Sequence, residues 1–464
     1  MKACLRSEPL RKVCKGAAMI RELSACLLLL LMASPLFAGE IDLFGGFDNI
    51  QASGKEETST PENELSSHFS GYSKLGTSVN VARHAPDAQE TDWRDLSRLR
   101  AELQLEADYR LLQWKLFASG KGSYDFSYSL NGRDRYTSQV LDSYEWEAEL
   151  REAYVQGALS ENLDVKLGRQ IVVWGRSDNF RVTDILNPLD YREPGLTDIE
   201  DLRLPVTMSK MDYYQGVWQL SLIAVHEHRA SKLPPFGSDF YPSPVPPPPE
   251  ETPANSLKNT GLALEARAVF PGWDISFYEA NLYTDQITIV PSFPPVQELR
   301  RINMAGAAMN AARGNFLYIL EVAHLTGLRF MADYPRDYAR TDLLAGLEYR
   351  GFTDTTISLD LVNRHLYHFR QELSDSPESP QRDERQTALR INRELFHDQL
   401  SLTALLILMG ELAQDGTVQR FTAAYDLADN WSLTAGVIFY QSGHGAMAAV
   451  GDNDRGFLEL RYDF

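Results

Sequence analysis

Gly456-Phe457-Leu458-Glu459-Leu460-Arg461-Tyr462-Asp463-Phe464 is the stretch that decides the fold. Side chains of an extended chain alternate between two faces, so Leu458, Leu460, Tyr462 and Phe464 share one face and Glu459, Arg461 and Asp463 the other. One face is wholly apolar and ends on an aromatic ring, while the other is charged throughout. The same two-faced pattern recurs upstream. Between Arg98 and Arg110, Leu99, Ala101, Leu103, Leu105, Ala107 and Tyr109 fall on one side, and Arg98, Arg100, Glu102, Gln104, Glu106, Asp108 and Arg110 on the other. Leu262, Leu264, Ala266, Ala268 and Phe270 oppose Ala263, Glu265 and Arg267, and Trp431, Leu433, Ala435, Val437 and Phe439 oppose Ser432, Thr434 and Gly436. One face of each segment wants an apolar medium and the other wants water.

Segments of this kind, about ten to fourteen residues long, follow one another from residues 69–82 to 453–464. The pattern predicts about eighteen strands, with sixteen as the alternative count. Connections alternate in length: tight ones fall at Leu111, Ser160-Glu161-Asn162, Pro271-Gly272, Arg313-Gly314, His397-Asp398 and Ala428-Asp429-Asn430, and nearly all others are long. No stretch after Ala38 approaches the roughly 18 consecutive apolar residues of a membrane-spanning helix. A chain that crosses a bilayer without such helices has to close its backbone hydrogen bonds as a barrel. The expected fold is therefore all-β, a transmembrane antiparallel β-barrel over residues 69–464. Trp114, Trp146, Trp174, Trp218, Trp273 and Trp431 fall near strand ends and are expected, with Phe464, to form the aromatic girdle at the membrane interfaces. A soluble sandwich or propeller gives no reason for that placement. Arg98, Arg100, Glu102, Glu106, Glu265 and Arg267 are expected to face the lumen.

Residues 1–38 read as a cleaved signal peptide. Lys2, Arg6, Arg11, Lys12, Lys15 and Arg21 form a basic region, Ala25 to Met32 an apolar one, and Ser34-Pro35-Leu36-Phe37-Ala38 a cleavage site. All three cysteines, Cys4, Cys14 and Cys26, lie there, so the exported chain is expected to need no disulfide. Removing six basic and two acidic residues, a net of +4, takes the charge from −19 to −19 − 4 = −23. That balance argues against nucleic acid as a partner. Residues 39–68 are polar, weakly periodic and expected to be a periplasmic lead-in, which places the long loops outside the cell.

The most unusual segment runs from Gly168 to Leu204. It packs Arg176, Asp178, Arg181, Asp184, Asp190, Arg192, Asp198, Glu200, Asp201 and Arg203 among Phe180, Ile185, Leu186, Leu189 and Leu196. An exposed loop has no use for so many aliphatic residues, whereas a loop folded into the lumen packs them on the wall and pairs its charges there. Residues 174–203 are therefore expected to be an inward constriction or plug. Arg169 breaks the alternation set by Leu163, Val165 and Leu167, and a bulge at Gly168 is expected to turn it into the lumen. An unpaired arginine facing lipid near the midplane would cost about 2–4 kcal/mol.

Gly168-Arg169-Gln170, Trp174-Gly175, Asp178, Asp184 and Asn187-Pro188-Leu189-Asp190, with Phe69-Ser70-Gly71-Tyr72 and Ser97-Arg98-Leu99-Arg100, resemble an outer-membrane barrel family of proteobacteria known only as a domain of unknown function. The terminal strand likewise resembles the C-terminal signal strand of bacterial outer-membrane barrels. The first resemblance implies an envelope barrel suspected of moving hydrophobic or lipid-like compounds. The second implies recognition by the barrel assembly machinery. Neither supplies a substrate.

Residues 229–257, from Leu233-Pro234-Pro235 through Pro246-Pro247-Pro248-Pro249, are expected to form an extended, solvent-exposed extracellular loop. His226 and His228 share a face and His365 lies near the same rim, but no third ligand is identifiable, so no metal site is expected. Ser442-Gly443-His444 and Asp452-Asn453-Asp454 in a late loop could mimic a hydrolase or Ca²⁺ site, but their spacing is not that of a known loop; no nucleotide cradle follows a strand, and the chain is expected to be neither an enzyme nor a cofactor protein. The expected function is an outer-membrane channel, or the outer stage of a transport system with a periplasmic or inner-membrane partner, passing small, hydrophobic or lipid-like solutes. The alternative is a structural barrel that sheathes or docks a periplasmic partner without conducting.

Overall fold

The computed structural model describes residues 66–81, 91–197, 199–375, 378–448 and 450–464. The signal peptide expected over 1–38 and most of the lead-in expected over 39–68 lie outside the described residues. Besides the two-residue strand Glu250–Glu251, which lies in a connection, eighteen strands follow in chain order among the described residues, beginning with β1 Ser66–Asn80, β2 Asp95–Leu111, β3 Trp114–Asp125, β4 Trp146–Ser160, β5 Leu163–Gln170 and β6 Val206–Gln215. Next come β7 Trp218–Val225, β8 Gly261–Phe270, β9 Trp273–Val290, β10 Val296–Arg313, β11 Phe316–Leu328 and β12 Tyr338–Phe352. The last six are β13 Thr355–Leu366, β14 Asp383–Leu395, β15 Leu400–Met409, β16 Gly416–Ala428, β17 Trp431–Gln441 and β18 Arg455–Asp463. Neighbours in sequence are neighbours in the sheet, antiparallel from β2–β3 through β17–β18. The stretch that decided the fold closes it: β18 pairs with β1, Tyr72 opposite Asp463 and Asn80 opposite Arg455. Closure leaves no free strand edge, as a membrane-spanning sheet requires.

The period-two alternation explains the two surfaces. Leu103, Leu105, Phe277, Leu320, Leu343, Leu361 and Leu458 stand exposed on the outside, while Glu102, Asp274, Glu321, Asp342 and Asp360 are buried inside. Trp114, Trp218, Trp273 and Trp431 sit on the outer surface beside the short turns, Trp146 opens β4 at the opposite rim, and Phe464 lies outside next to Tyr462.

Two expectations about the strands are corrected. β9 and β10 run well beyond the expected 273–284 and 300–312, because Ile287 to Val290 and Val296 to Leu299 continue the ladder past an irregularity. The bulge expected at Gly168 is not a register shift: Gly168 pairs with Tyr154 and Met208, and Arg169 with Ala153 and Thr207, in continuous register. The register shift nearby lies in the β3–β4 ladder, where Ser119 pairs with Glu152 but Gly120 with Leu150. Gly168 keeps a special role through its φ of +130° and a backbone so close to Ala153 that a Cβ would fall 2.2 Å from that carbonyl oxygen.

The inner wall is chemically uneven. On β2 and β3 it is polar along its length, with Glu102 joined to Lys121, Lys74 and Tyr72. On β6 to β13 the half nearest the long connections is apolar: Val206, Met208, Ile223, Val225, Tyr278, Ala280, Leu282, Ile302, Met304, Ile319, Ala323, Leu344 and Val362 form one buried cluster. Such a surface cannot face water without cost, and residues 171–205 cover it.

Candidate functional site

The chain leaves β5 at Gln170 and re-enters the wall at Val206, and the segment between them has almost no regular structure of its own. Its backbone groups must therefore be satisfied by side chains. Asn187, fully buried, braces the neck: its Oδ1 accepts from the Val172 N–H at 2.9 Å, and its Nδ2 donates to the carbonyls of Leu204 at 2.9 Å and Gln170 at 3.3 Å. Asp184 accepts from Arg203 Nε at 2.9 Å and from the Trp174 N–H at 3.4 Å. Arg181 donates to the carbonyls of Asp184 at 2.6 Å and Asn187 at 2.7 Å, and to Asp285 on β9 at 3.2 Å. Burial works against the Arg181 charge, but Asp285 and Asp184 outweigh it, and its pKa lies above the ordinary arginine value.

The first part of the segment docks on the apolar wall. Val172, Trp174, Phe180, Val182 and Leu186 join the cluster lined by β6 to β13. Trp174 is 1% exposed, its ring 4.8 Å from that of Tyr278. This corrects its expected place in the membrane girdle: β5 ends before it, at Gln170, so it turns inward with the loop instead of standing at a strand end. Polar anchors ring the apolar contact. Glu321 on β11 accepts from the N–H groups of Arg176 at 2.6 Å, Ser177 at 3.1 Å and Thr183 at 3.2 Å, and from the Thr183 hydroxyl at 2.9 Å. Gly175, at a φ of +90°, allows the chain to turn against this carboxylate. Asp360 on β13 accepts from Ser177 Oγ at 2.7 Å and Asn179 Nδ2 at 2.8 Å, and Arg176 reaches Asp274 at 2.5 Å and Ser276 at 2.8 Å on β9. Asp178 stays exposed between these anchors.

The second part crosses to the polar wall. Arg192 holds Asp190 at 2.5 Å and Glu147 on β4 at 2.8 Å. Glu193 pairs with Arg98 and, at 3.2 Å, with Arg100, both on β2. The Tyr440 hydroxyl of β17 donates to the Pro194 carbonyl at 2.6 Å, Arg420 of β16 to that of Gly195 at 3.3 Å, and Leu196 packs on the β16–β17 cluster. Burial pushes the Glu193 carboxyl upward, but Arg98, Arg100, Arg455 and Arg192 outweigh it and hold its pKa well below the usual carboxylate range. One segment is thus tied to β9, β11 and β13 on one side and to β2, β4, β16 and β17 on the other.

Arg169 is not left to bare lipid. Its guanidinium lies at the rim against Glu227 at 2.5 Å, Glu149 at 3.5 Å and the Leu150 carbonyl at 2.9 Å, so its charge is paired. Glu149 also holds Arg229 at 2.6 Å and Lys232 at 3.1 Å. Residues 229–257 are not the open loop expected of them. Lys232 is bridged to the inward segment by backbone hydrogen bonds to Leu189 at 2.9 Å and from Tyr191 at 2.8 Å, and Phe240 is 2% exposed; Pro242 to Pro247 stand exposed, and Glu250–Glu251 then pair in parallel with Gln297–Glu298 of β10. Proline fixed the local conformation there but not the fate of its flanks.

Among the other residues expected in the lumen, Glu106 accepts from Gln104 at 2.8 Å, and Glu265 accepts from Ser276 at 3.4 Å with Arg267 two residues along the same face. The histidines are apart in role: His226 meets Ser209 at 2.8 Å, the His228 ring lies tilted 4.7 Å from that of Tyr283, and His365 pairs with Asp383 at 2.7 Å. Sequence reasoning missed Glu321, Asp360, Asp274 and Glu193. The available signal was the lone carboxylate: Glu321 interrupts Phe316 to Ala323, a run otherwise apolar on both faces.

Among solved structures, the chain is similar to OccAB1 of Acinetobacter baumannii, at a TM-score of 0.53 and 11% identity over 88% of this chain and 99% of that one. It is also similar to a BenF-like porin from Pseudomonas fluorescens Pf-5, at 0.51 and 11% over 86% and 98%, and to OccAB4 of Acinetobacter baumannii, at 0.50 and 11% over 87% and 99%. At such identity the likeness is one of fold, the closed barrel of outer-membrane porins. No curated protein matches the sequence. Residues 19–464 do match the family described as "Protein of unknown function (DUF1302)", and the chain belongs to that family.

Proposed function

We propose that this protein is an outer-membrane channel whose bore is narrowed or plugged by residues 174–203. The observation that carries the reading is that this segment bonds to opposite walls, to Glu321 and Asp360 on one side and to Arg98 and Arg100 on the other. A loop that only buttressed one wall would have no use for the second set. Arg98, Arg100, Glu102, Glu106, Glu265 and Arg267 on the wall set the field met by a solute, and Arg176, Asp178, Arg181, Asp184, Asn187 and Asp190 shape the obstruction. Arg169 holds the rim instead. The apolar inner wall of β6 to β13 supports a solute with a hydrophobic or lipid-like part, since displacing the loop would bare that surface. Trp114, Trp146, Trp218, Trp273, Trp431 and Phe464 act as interface anchors, and β18 is the strand offered to the assembly machinery. One neighbour of this fold is named as a porin, which supports transport over catalysis. A bore cleared of the loop would favour the non-conducting sheath, and the bonds of the segment to both walls favour the channel.

The test is single-channel conductance in a planar bilayer, comparing the wild type with a deletion of residues 178–200. Small currents that grow large on deletion are expected. Stable insertion with no current from either protein would overturn the channel reading and return the sheath.

A further inference from the structure

Asp239, half-buried, and Phe240, buried, lie far from the strands that carry them. They belong to the β7–β8 connection but sit on β16 to β18, and β7 is six ladders from β1 and β18 one more. The connection therefore crosses the mouth as a strap. Where it lands, Arg455 Nη2 holds the Asp239 carboxylate at 2.7 Å and Asn453 Nδ2 donates to the Asp239 carbonyl at 2.8 Å. The Phe240 ring meets Tyr440 edge-on at 5.6 Å, with the Arg455 guanidinium 4.7 Å from its centroid. Val418, Ile438, Met447 and Val450 complete the apolar part of the seat. Arg455 is 3% and Phe240 2% exposed, so the seat is a deep receptor with a cation at one end and an apolar pocket at the other. A carboxylate carried on an aromatic body is what fills it.

The strap is held on either side of a free stretch. Thr137 Oγ1 donates to the Phe236 carbonyl at 2.7 Å before it, and after it the Gln297 N–H donates to the Pro249 carbonyl at 2.9 Å and Glu250–Glu251 pair in parallel with Gln297–Glu298 of β10; between them Pro242 to Pro247 are exposed, and Pro246 to Pro249 keep the chain stiff and extended. An element with few buried contacts opens at low cost. Its near end is bonded to the inward segment through Lys232, Leu189 and Tyr191.

We infer that the Arg455–Asn453–Tyr440 seat is a solute-binding site for amphipathic carboxylates, molecules bearing one carboxylate on an apolar or aromatic body, and that the chain's own Asp239-Phe240 occupies it until such a solute displaces the strap. The inference rests on the channel reading and names its solute class. A receptor filled by an internal competitor binds its ligand more weakly by the fraction of time it is vacant.

The test places one cysteine, Ser243→Cys, on the exposed part of the strap. The native cysteines all lie at or before residue 26, so a fluorophore attached to the exported protein reports the strap alone. The labelled protein is titrated with 3-phenylpropionate, with 3-phenylpropanol, which lacks the carboxylate, and with acetate, which lacks the apolar body. A saturable change with 3-phenylpropionate only is expected. Phe240→Ala should tighten its apparent affinity about tenfold, and Arg455→Gln should abolish the response. Equal responses to all three probes, no response to any, or identical titrations of the wild type and Phe240→Ala would overturn the inference whatever Arg455→Gln does. Current recorded from the same preparation separates the two readings. Strap movement without current sinks the channel and leaves the site, whereas current without strap movement sinks the site alone.

Discussion

The inner wall of β9 to β13 and the inner wall of β2 to β4 enclose one bore with opposite chemistry. The first offers Tyr278, Leu282, Ile302, Met304, Ile319 and Leu344 with a few buried carboxylates between them. The second offers Arg98, Arg100, Glu102, Lys121 and Glu147, salted together or held to Arg192 and Glu193 of the inward segment. The segment itself is built in two parts to match: from Val172 to Leu186 it sets apolar Val172, Trp174, Phe180, Val182 and Leu186 among a few charges, and from Asp190 to Glu193 it is mostly charged. Area drives the docking on the first wall and charge fixes the position on the second, because apolar burial has no direction while ion pairs do. The difference predicts that the apolar side carries most of the docking energy and the polar side most of the selectivity.

Breaking the apolar side should have the largest effect. Glu321→Ala leaves three backbone N–H groups and one hydroxyl without their acceptor, at about 1–3 kcal/mol for each buried group left unmet. Limited proteolysis in detergent should then cut between residues 176 and 203, where the wild type resists. Unchanged resistance would mean that the apolar contact needs no polar ring. Met304→Ala, at a position 1% exposed, removes packing beneath the segment and should cost about 2–5 kcal/mol. The measurement is the midpoint of heat-induced unfolding, and a midpoint equal to wild type would place the docking energy elsewhere.

Changes on the polar side should be smaller in stability and larger in ion preference. Arg98→Gln with Arg100→Gln leaves Glu193 without its two closest cations, for about 1–3 kcal/mol of docking, and shifts the reversal potential in a salt gradient toward cations. An unshifted potential would show that solutes do not pass this wall. The smallest effect concerns pH. The Glu193 carboxyl titrates below its ordinary value when folded, so its contribution is fully present above the unfolded value and is lost only as pH falls through the lower folded one. Acidification from about pH 7 to about pH 4.5 should therefore leave conductance nearly unchanged. A rise in current near that lower limit would show that Glu193 titrates normally and that its arginines do not hold it.

Much of this barrel was legible in single residues. Leu99 to Tyr109 on one face of β2, with Arg98 to Arg110 on the other, announces a two-sided strand, and the tight connections at Pro271-Gly272 and Ala428-Asp429-Asn430 announce its returns. The inward segment was legible because Phe180, Leu186 and Leu189 make no sense in water. Its anchors were not, since Glu321 and Asp360 lie far along the chain from Arg176 and Ser177, and no local pattern links them. Trp174 was misplaced because a tryptophan just past a strand reads the same whether the chain then turns out to the membrane or into the bore. Arg169 was given a bulge because counting along one strand cannot see that Glu149 and Glu227 stand beside it.

Alternation, turns and apolar content are local properties that each segment carries alone, and they were enough to read the strands, their order and which face of each is apolar. Tertiary structure alone decided that the inner wall is divided between apolar and polar sides, that one loop joins them, and that the strap crosses the mouth to seat Asp239 and Phe240 on Arg455. Those arrangements depend on closure: only when β18 meets β1 do residues hundreds of positions apart come within hydrogen-bond distance, and no periodicity along the chain encodes that distance.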